Sequence, residues 1–337
     1  MILNTRRLSQ PHGPLQRSIE VPLNRAALTL WRWLAQLRQT PTALVGFGIL
    51  SLFIVAALFG PLLAPYPYTE FHLSDILHPP SAQYWFGTDQ FGRDVFSRVL
   101  VGSRNILVLA VSATGLGLFL GITVGLIAGY YGGLRDEGLM RLMDVMMSFP
   151  SLLLALLILS TLGPALINVI IAIAIVFMPR IARVIRSAVL DIKSREFVDA
   201  ARVRGESALY IMAQEILPNA TSPILVEGAI RISYAILLGA SLGFLGLGVQ
   251  PPAPDWGLQV SEGRDFILTA RWVVLFPALA IALLVVSANL LTDGLEQILH
   301  SSTQGWSFVA GETKTELIVE SGLASADALD LDRQGRG

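Results

Sequence analysis

The sequence predicts an all-α, polytopic membrane protein with six transmembrane helices, and three observations predict it. Of the 337 residues, 53% are hydrophobic and only 15% are charged, against about 25% charged in an ordinary soluble domain. A core of this length cannot hide so much apolar surface, so the solvent must be lipid; the mean hydropathy of +0.61 agrees. Six stretches are apolar and almost free of charge, and Lys and Arg are shared unevenly between the segments that join them.

A bilayer core of about 30 Å needs roughly 20 apolar helical residues, because lipid offers the backbone no hydrogen bonds. The stretches that fit are residues 44–63, 106–128, 145–162, 167–179, 232–249 and 272–291. The fourth is short, and reaches residue 185 if Arg180 and Arg183 extend their heads to the interface. The fifth is expected to start near Pro223, with Ser222 as its N-cap. Glu227 and Arg231 sit four apart there, acid first, and can neutralise each other near the membrane surface.

Orientation follows from the basic residues. With the N-terminus cytoplasmic, the inner segments 1–42, 130–144 and 180–222 carry fifteen Lys and Arg, against five in the outer segments 65–105, 163–166 and 250–271. Both termini are therefore expected inside. Residues 1–42 form an N-terminal segment, 43–300 the membrane domain, and 301–337 an acidic tail expected to be disordered. Residues 25–40 suit a helix lying in the interface, and equally a polar lead-in anchored by Trp31 and Trp33. No short apolar run ends at a small-residue cleavage site, so no cleavable signal peptide is expected.

Several functions are excluded or discounted. A net charge of −1 argues against nucleic acid. The absence of cysteine removes disulfides, zinc thiolates and cysteine nucleophiles. No G-x-x-x-x-G-K-[ST] occurs, so the chain has no P-loop for ATP. The G-x-S-x-G match at Gly239–Gly243 lies inside a predicted span, away from His12, His72, His78 and His300, and does not read as a hydrolase. His72 and His78 lack a carboxylate shell and read as solvated rather than metal-bound. Gly117, Gly121, Gly125 and Gly129 form a ridge on span two at which another helix can approach closely.

Residues 186–221 are too regular for a connector. Ala200 and Ala201 favour helix and Gly205 permits a sharp turn; Leu209, Met212 and Ile216 then recur at helical spacing until Leu217-Pro218 ends the run. Helix, glycine turn, helix and proline stop describe a projecting cytoplasmic hairpin. It resembles the EAA loop of permease subunits of bacterial ABC importers, carried here by Asp199, Ala200, Ala201, Gly205, Leu217 and Pro218, with Asp199 where the family usually has Glu. In that family the loop docks into a cleft of the ATPase subunit.

Residues 84–104 look like the outer segment of dipeptide/oligopeptide-type permeases through Gly87, Thr88, Asp89, Gly92, Arg93, Asp94, Ser97 and Arg98. Physically the segment reads as a short amphipathic helix capped by Thr88 or Asp89. Acid–base pairs join Asp89 to Arg93 and Asp94 to Arg98, and Phe91 shares a face with Val95 and Val99. It serves either as a cover near the external mouth or as an anchor for span two. Residues 141–158 and 248–257 look like the same family, so the resemblance runs from about residue 40 to 300.

The resemblance implies a type I importer permease fold in the bacterial inner membrane, not an enzyme. It implies a second permease, two ATPase subunits that bind the ATP, and an external solute-binding protein as partners, with no cofactor in this chain. Di- or oligopeptides are the expected cargo; a nickel chelate, glutathione or an oligosaccharide are alternatives, and an ion-gradient-driven transporter is the rival from another class. Asp144, just before Phe149-Pro150, reads as an interfacial charge beside a kink, with a place along the pathway left open.

Overall fold

The computed structural model describes residues 41–297; the predicted interfacial helix, the predicted N-terminal segment up to residue 40 and the predicted tail lie outside them. Among the described residues every extended element is a helix. Five are long and apolar enough to cross a bilayer, and a sharply bent pair supplies a sixth crossing when counted as one.

Helix α1, Pro41–Leu63, buries only the seam Ala43, Gly46, Phe53, Ala56 and Gly60. Leu52, Leu58 and Leu62 stand largely exposed around it, as a face meant for lipid requires. Helix α2, Val95–Tyr131, has 37 residues and spans about 55 Å, well beyond a hydrocarbon core. Its partner is α5, Leu166–Lys193, buried on nearly every side over its first half. The glycine ridge makes this pairing possible. A Cβ on Gly121 would come 2.5 Å from Ile181 Cβ, and one on Gly125 would come 2.7 Å from the Ala182 carbonyl. Packing, not hydrophobicity, holds helices together in lipid, and these positions let two backbones meet.

The predicted third span is broken by a far sharper bend than a kink. Residues 145–162 divide between α3, Gly133–Met147, and α4, Ser151–Leu162, which meet at 93°. Pro150 has no N–H and displaces the preceding residue from the helical region, so the chain turns there. At 12 residues, α4 is about 18 Å long and crosses only part of a bilayer. The fourth span corrects the other way: α5 runs unbroken through Pro179 to Lys193.

After α6, Glu196–Val203, a helical run over 208–219 (α7) leads into α8, Thr221–Phe244. The predicted Ser222 cap is not used. Helix α8 begins two residues earlier behind Ala220 without a side-chain cap, and Thr221 Oγ1 donates to the Pro218 carbonyl at 2.6 Å. Helices α8 and α2 are antiparallel, with Gly239 against Leu109 and Gly228 against Leu118. Short α9, Trp256–Gly263, leads to α10, Trp272–Gln297.

Candidate functional site

Three polar regions interrupt the apolar body. The first is the hairpin. Its turn is a Schellman motif: the Gly205 N–H donates to the Arg202 carbonyl at 3.0 Å and the Glu206 N–H to Ala201 at 3.2 Å. Gly205 carries φ +82°, a conformation that glycine adopts without penalty. Val198, Ala201, Ile211 and Ile216 are fully buried beneath the hairpin, and Lys193 Nζ binds the Tyr130 carbonyl at the end of α2 at 2.5 Å. Arg204 spans the two arms to Glu215 at 3.2 Å.

Two expectations for this region need correction. The run does not stop at Leu217-Pro218. A π-helical turn, Ile211–Ile216, comes first, and Pro218 then stands in the opening turn Leu217–Asn219, where a missing N–H costs nothing. The predicted apolar face also loses Leu209. Ile211 joins Met212 and Ile216 inside, while Leu209 is 73% exposed and Val203 90% exposed. Asp199 is exposed too and pairs with Arg202 within its own helix at 2.8 Å.

The second region is the outer segment, and here the predicted helix is absent. Residues 84–93 form turns, and α2 starts at Val95 behind Asp94, whose carboxylate caps it by accepting from the Ser97 N–H at 2.8 Å. Gly87 and Gly92 have φ of +72° and +73°, and a Cβ on Gly92 would strike the His72 carbonyl. Phe91 is exposed and shares no face with Val95 and Val99, which are buried.

Asp89 and Arg93 do pair, at 2.6 Å, but across a turn. Asp94 and Arg98 do not, because Asp94 is committed to the cap; Arg98 turns to Asp89 at 3.9 Å and the Tyr68 carbonyl at 3.2 Å. Arg93 continues to Glu262 of α9 at 3.0 Å. Thr88 accepts from His78 N–H at 2.8 Å, and its carbonyl receives the Trp272 indole N–H at 3.1 Å. Trp256 lies across Gly102 and donates to the Val99 carbonyl at 3.0 Å. Thr88, Asp89, Arg93, Asp94, Ser97 and Arg98 are all at least nine-tenths buried. They knit the segment to α2, α9 and α10.

Burial shifts the carboxyl groups of this end. It raises Asp94 above the usual carboxylate range, against the lowering hydrogen bonds from Ser97. It also raises Asp255, the cap of α9, against backbone bonds from Leu258 and Val249. Tyr84, buried and donating to Asp75 at 3.0 Å, is pushed up to about 12.

The third region is interior. Glu227 and Arg231 pair at 2.7 Å as their spacing predicts, but both are over nine-tenths buried rather than at a surface. The Arg231 guanidinium lies between Phe177 at 5.6 Å and Tyr234 at 5.7 Å. On α5, Arg183 pairs with Asp144, and Arg186 grips Asp136 through two bonds of 2.5 and 2.6 Å. Asp144 thus ties α3 to α5. Glu262 and Asp136 escape sequence reasoning because their partners lie 169 and 50 residues away, beyond any local periodicity.

Comparison with known proteins places this geometry. Residues 121–304 match the family model described as the binding-protein-dependent transport system inner membrane component. Residues 29–80 match the N-terminal TM domain of oligopeptide transport permease C. The dipeptide transport system permease protein DppC of Alkalihalophilus pseudofirmus is 45% identical over 81% of this chain and 90% of its own length. The di/tripeptide transport system permease protein DppC of Pseudomonas aeruginosa is 44% identical over 76% and 87%. The glutathione transport system permease protein GsiD of Pectobacterium atrosepticum is 39% identical over 84% and 94%.

Proposed function

The chain belongs to the family of binding-protein-dependent transport system inner membrane components, and from that premise we propose that it is a membrane-spanning permease subunit of an ATP-driven importer of di- and oligopeptides. The hairpin carries this reading. It is rooted by buried Val198, Ala201, Ile211 and Ile216, yet it presents Val203 and Leu209 outward. A rigid base with an apolar tip transmits force from a partner; a loop serving only as a connector has no use for either feature.

ATP chemistry falls to two cytoplasmic ATPase subunits, each receiving one hairpin, this chain's or that of a second permease. An external binding protein delivers cargo at the opposite end, near residues 84–104 and 250–270. Asp199, Ala200, Ala201, Gly205, Leu217 and Pro218 shape the docking element. Gly87, Thr88, Asp89, Gly92, Arg93, Asp94, Ser97 and Arg98 hold the outer end rigid rather than touching the partner themselves, since the six polar ones are buried.

The test is uptake of a labelled dipeptide by proteoliposomes containing the whole complex, with binding protein and ATP. Transport is expected in the wild type and is expected to vanish in Leu209→Glu with membrane insertion intact. Transport of glutathione in preference to any dipeptide would reassign the cargo, as the similarity to glutathione permeases allows. Normal peptide uptake by Leu209→Glu would overturn the role of the hairpin.

A further inference from the structure

Helix α5 carries three arginines on its second half, and two are engaged: Arg183 by Asp144 and Arg186 by Asp136. Arg180 makes no ion pair among the described residues, and it opens on a cavity of about 360 Å³. That cavity lies in the elbow where α3 and α4 diverge, lined by Met146, Met147, Ser148, Ser151, Leu154 and Arg180 among others. Its size falls within the about 300–1,000 Å³ typical of small-molecule pockets.

The location matters as much as the charge. Arg180 stands fourteen residues along α5, about 21 Å from the end of the helix nearer the outer network, and so past the middle of a 30 Å bilayer. Its side chain is exposed on the helix surface, and a guanidinium with no ion-pair partner is free to meet an anion. No acidic side chain lines the cavity; the nearest acid along the chain, Asp144, is held by Arg183. The one charged side chain lining the cavity is thus a cation, and the site favours a negative group over an ammonium group. The guanidinium fork matches a carboxylate in two hydrogen bonds. The adjacent Met146 and Met147 side chains adapt their shape to varied neighbours.

We propose that this elbow cavity is a transient cargo station in which Arg180 receives the C-terminal carboxylate of the passing peptide. This rests on the peptide-importer reading above. The carboxylate is the one group every unmodified peptide shares, so a station built on it is indifferent to sequence. Its exposure to water keeps binding weak enough for release.

The natural absence of cysteine allows a direct test in the reconstituted complex. Ser151→Cys, or Leu154→Cys if the first fails to assemble, is treated with sulfonatoethyl or trimethylammonioethyl methanethiosulfonate. Relative to free cysteine, the anionic reagent is expected to react about tenfold faster than the cationic one. Adding Arg180→Gln should abolish that preference, while Arg180→Lys should keep most of it. During turnover, dialanine should protect the thiol and dialanine amide should protect it less. Equal reaction with both reagents, a preference that survives Arg180→Gln, or no protection by dialanine in a complex that imports it would overturn the station. Absence of peptide uptake by the wild type, with the charge preference intact, would instead strike the peptide-importer reading, and the station's cargo with it.

Discussion

At the scale of single residues, the capping carboxylate Asp94 and the turn glycine Gly205 make separable predictions. Asp94 uses only Oδ2 for the cap, and its Oδ1 has no partner, so Asn can cap α2 equally well without a buried charge. Asp94→Asn should match or exceed wild-type thermal stability in detergent, whereas Asp94→Ala should lose about 1 kcal/mol for the cap. The sign of the pH effect follows from burial. Because the native carboxyl has a raised pKa, the folded state holds the proton more tightly than the unfolded chain. Its stabilising contribution is present below the unfolded value and disappears as pH rises through the raised native value. Unfolding temperatures measured across that window should fall with rising pH in the wild type, and this component should be missing from Asp94→Asn. Gly205 differs in kind: no atom lies within 4 Å of a Cβ placed there, so any penalty comes from the positive φ alone. Gly205→Asn should remain coupled because Asn tolerates that region. Gly205→Val should insert normally but separate ATP hydrolysis from transport.

At the scale of elements, the close approach of α2 and α5 is the contact most sensitive to one methyl group. Gly121 and Gly115 lie on the same helix, but a Cβ at Gly121 meets Ile181 and one at Gly115 meets nothing within 4 Å. Gly121→Val should therefore cost about 1–3 kcal/mol by overpacking, read as a lower melting temperature and poorer assembly. Gly115→Val should fall within about 0.5 kcal/mol of wild type, as for a surface change. Equal effects at the two positions would show that the seam is not what holds the pair. The elbow between α3 and α4 owes its angle to Pro150, and the Asp144–Arg183 and Asp136–Arg186 pairs fix α3 across α5. Asp136 and Arg186 form the better-shielded pair, with side chains 15% and 34% exposed.

At the scale of the whole molecule, the outer network and the hairpin occupy opposite ends, because α2 begins in one and ends beside the other. Exposed Ser74 and Ala213 report on these ends. In intact cells, Ser74→Cys should label with an impermeant maleimide, and Ala213→Cys should label only after permeabilisation. The reverse pattern would invert the topology. Among the described residues, the buried pair within the membrane-crossing helices, Glu227–Arg231, is closed on itself. Apolar walls separate ligands by only about 1–3 kcal/mol per methylene, so cargo choice should lie with the binding protein. Exchanging it for a docking-compatible relative should change which peptides enter while this chain stays the same. Selective uptake by the membrane complex alone would contradict that division.

The sequence by itself determined what depends on composition and short-range period. Apolar runs of bilayer length marked all five long helices, placed the first and last to within six residues and fixed the all-α class, and the helix–Gly205–helix pattern located the hairpin. The glycine spacing on α2 announced a close helix contact, and Glu227 and Arg231 announced their own pair, since partners four residues apart need no fold to meet. Tertiary structure decided the rest. That the break at Phe149-Pro150 is a right-angled elbow rather than a mild kink shows only in the packed structure, where α3 also pairs with α5 through Asp144 and Asp136. Asp94 and Arg98 have the spacing of a helical pair, yet the helix starts between them and assigns them to different tasks. Leu209 matched the buried face by period and still points outward, because the π turn that follows rotates that face onto Ile211. Local rules give the energies of neighbours along the chain. Arg93 with Glu262, Trp256 with Val99 and Arg180 with the elbow cavity arise only when distant segments pack, and that packing is written in no single stretch of residues.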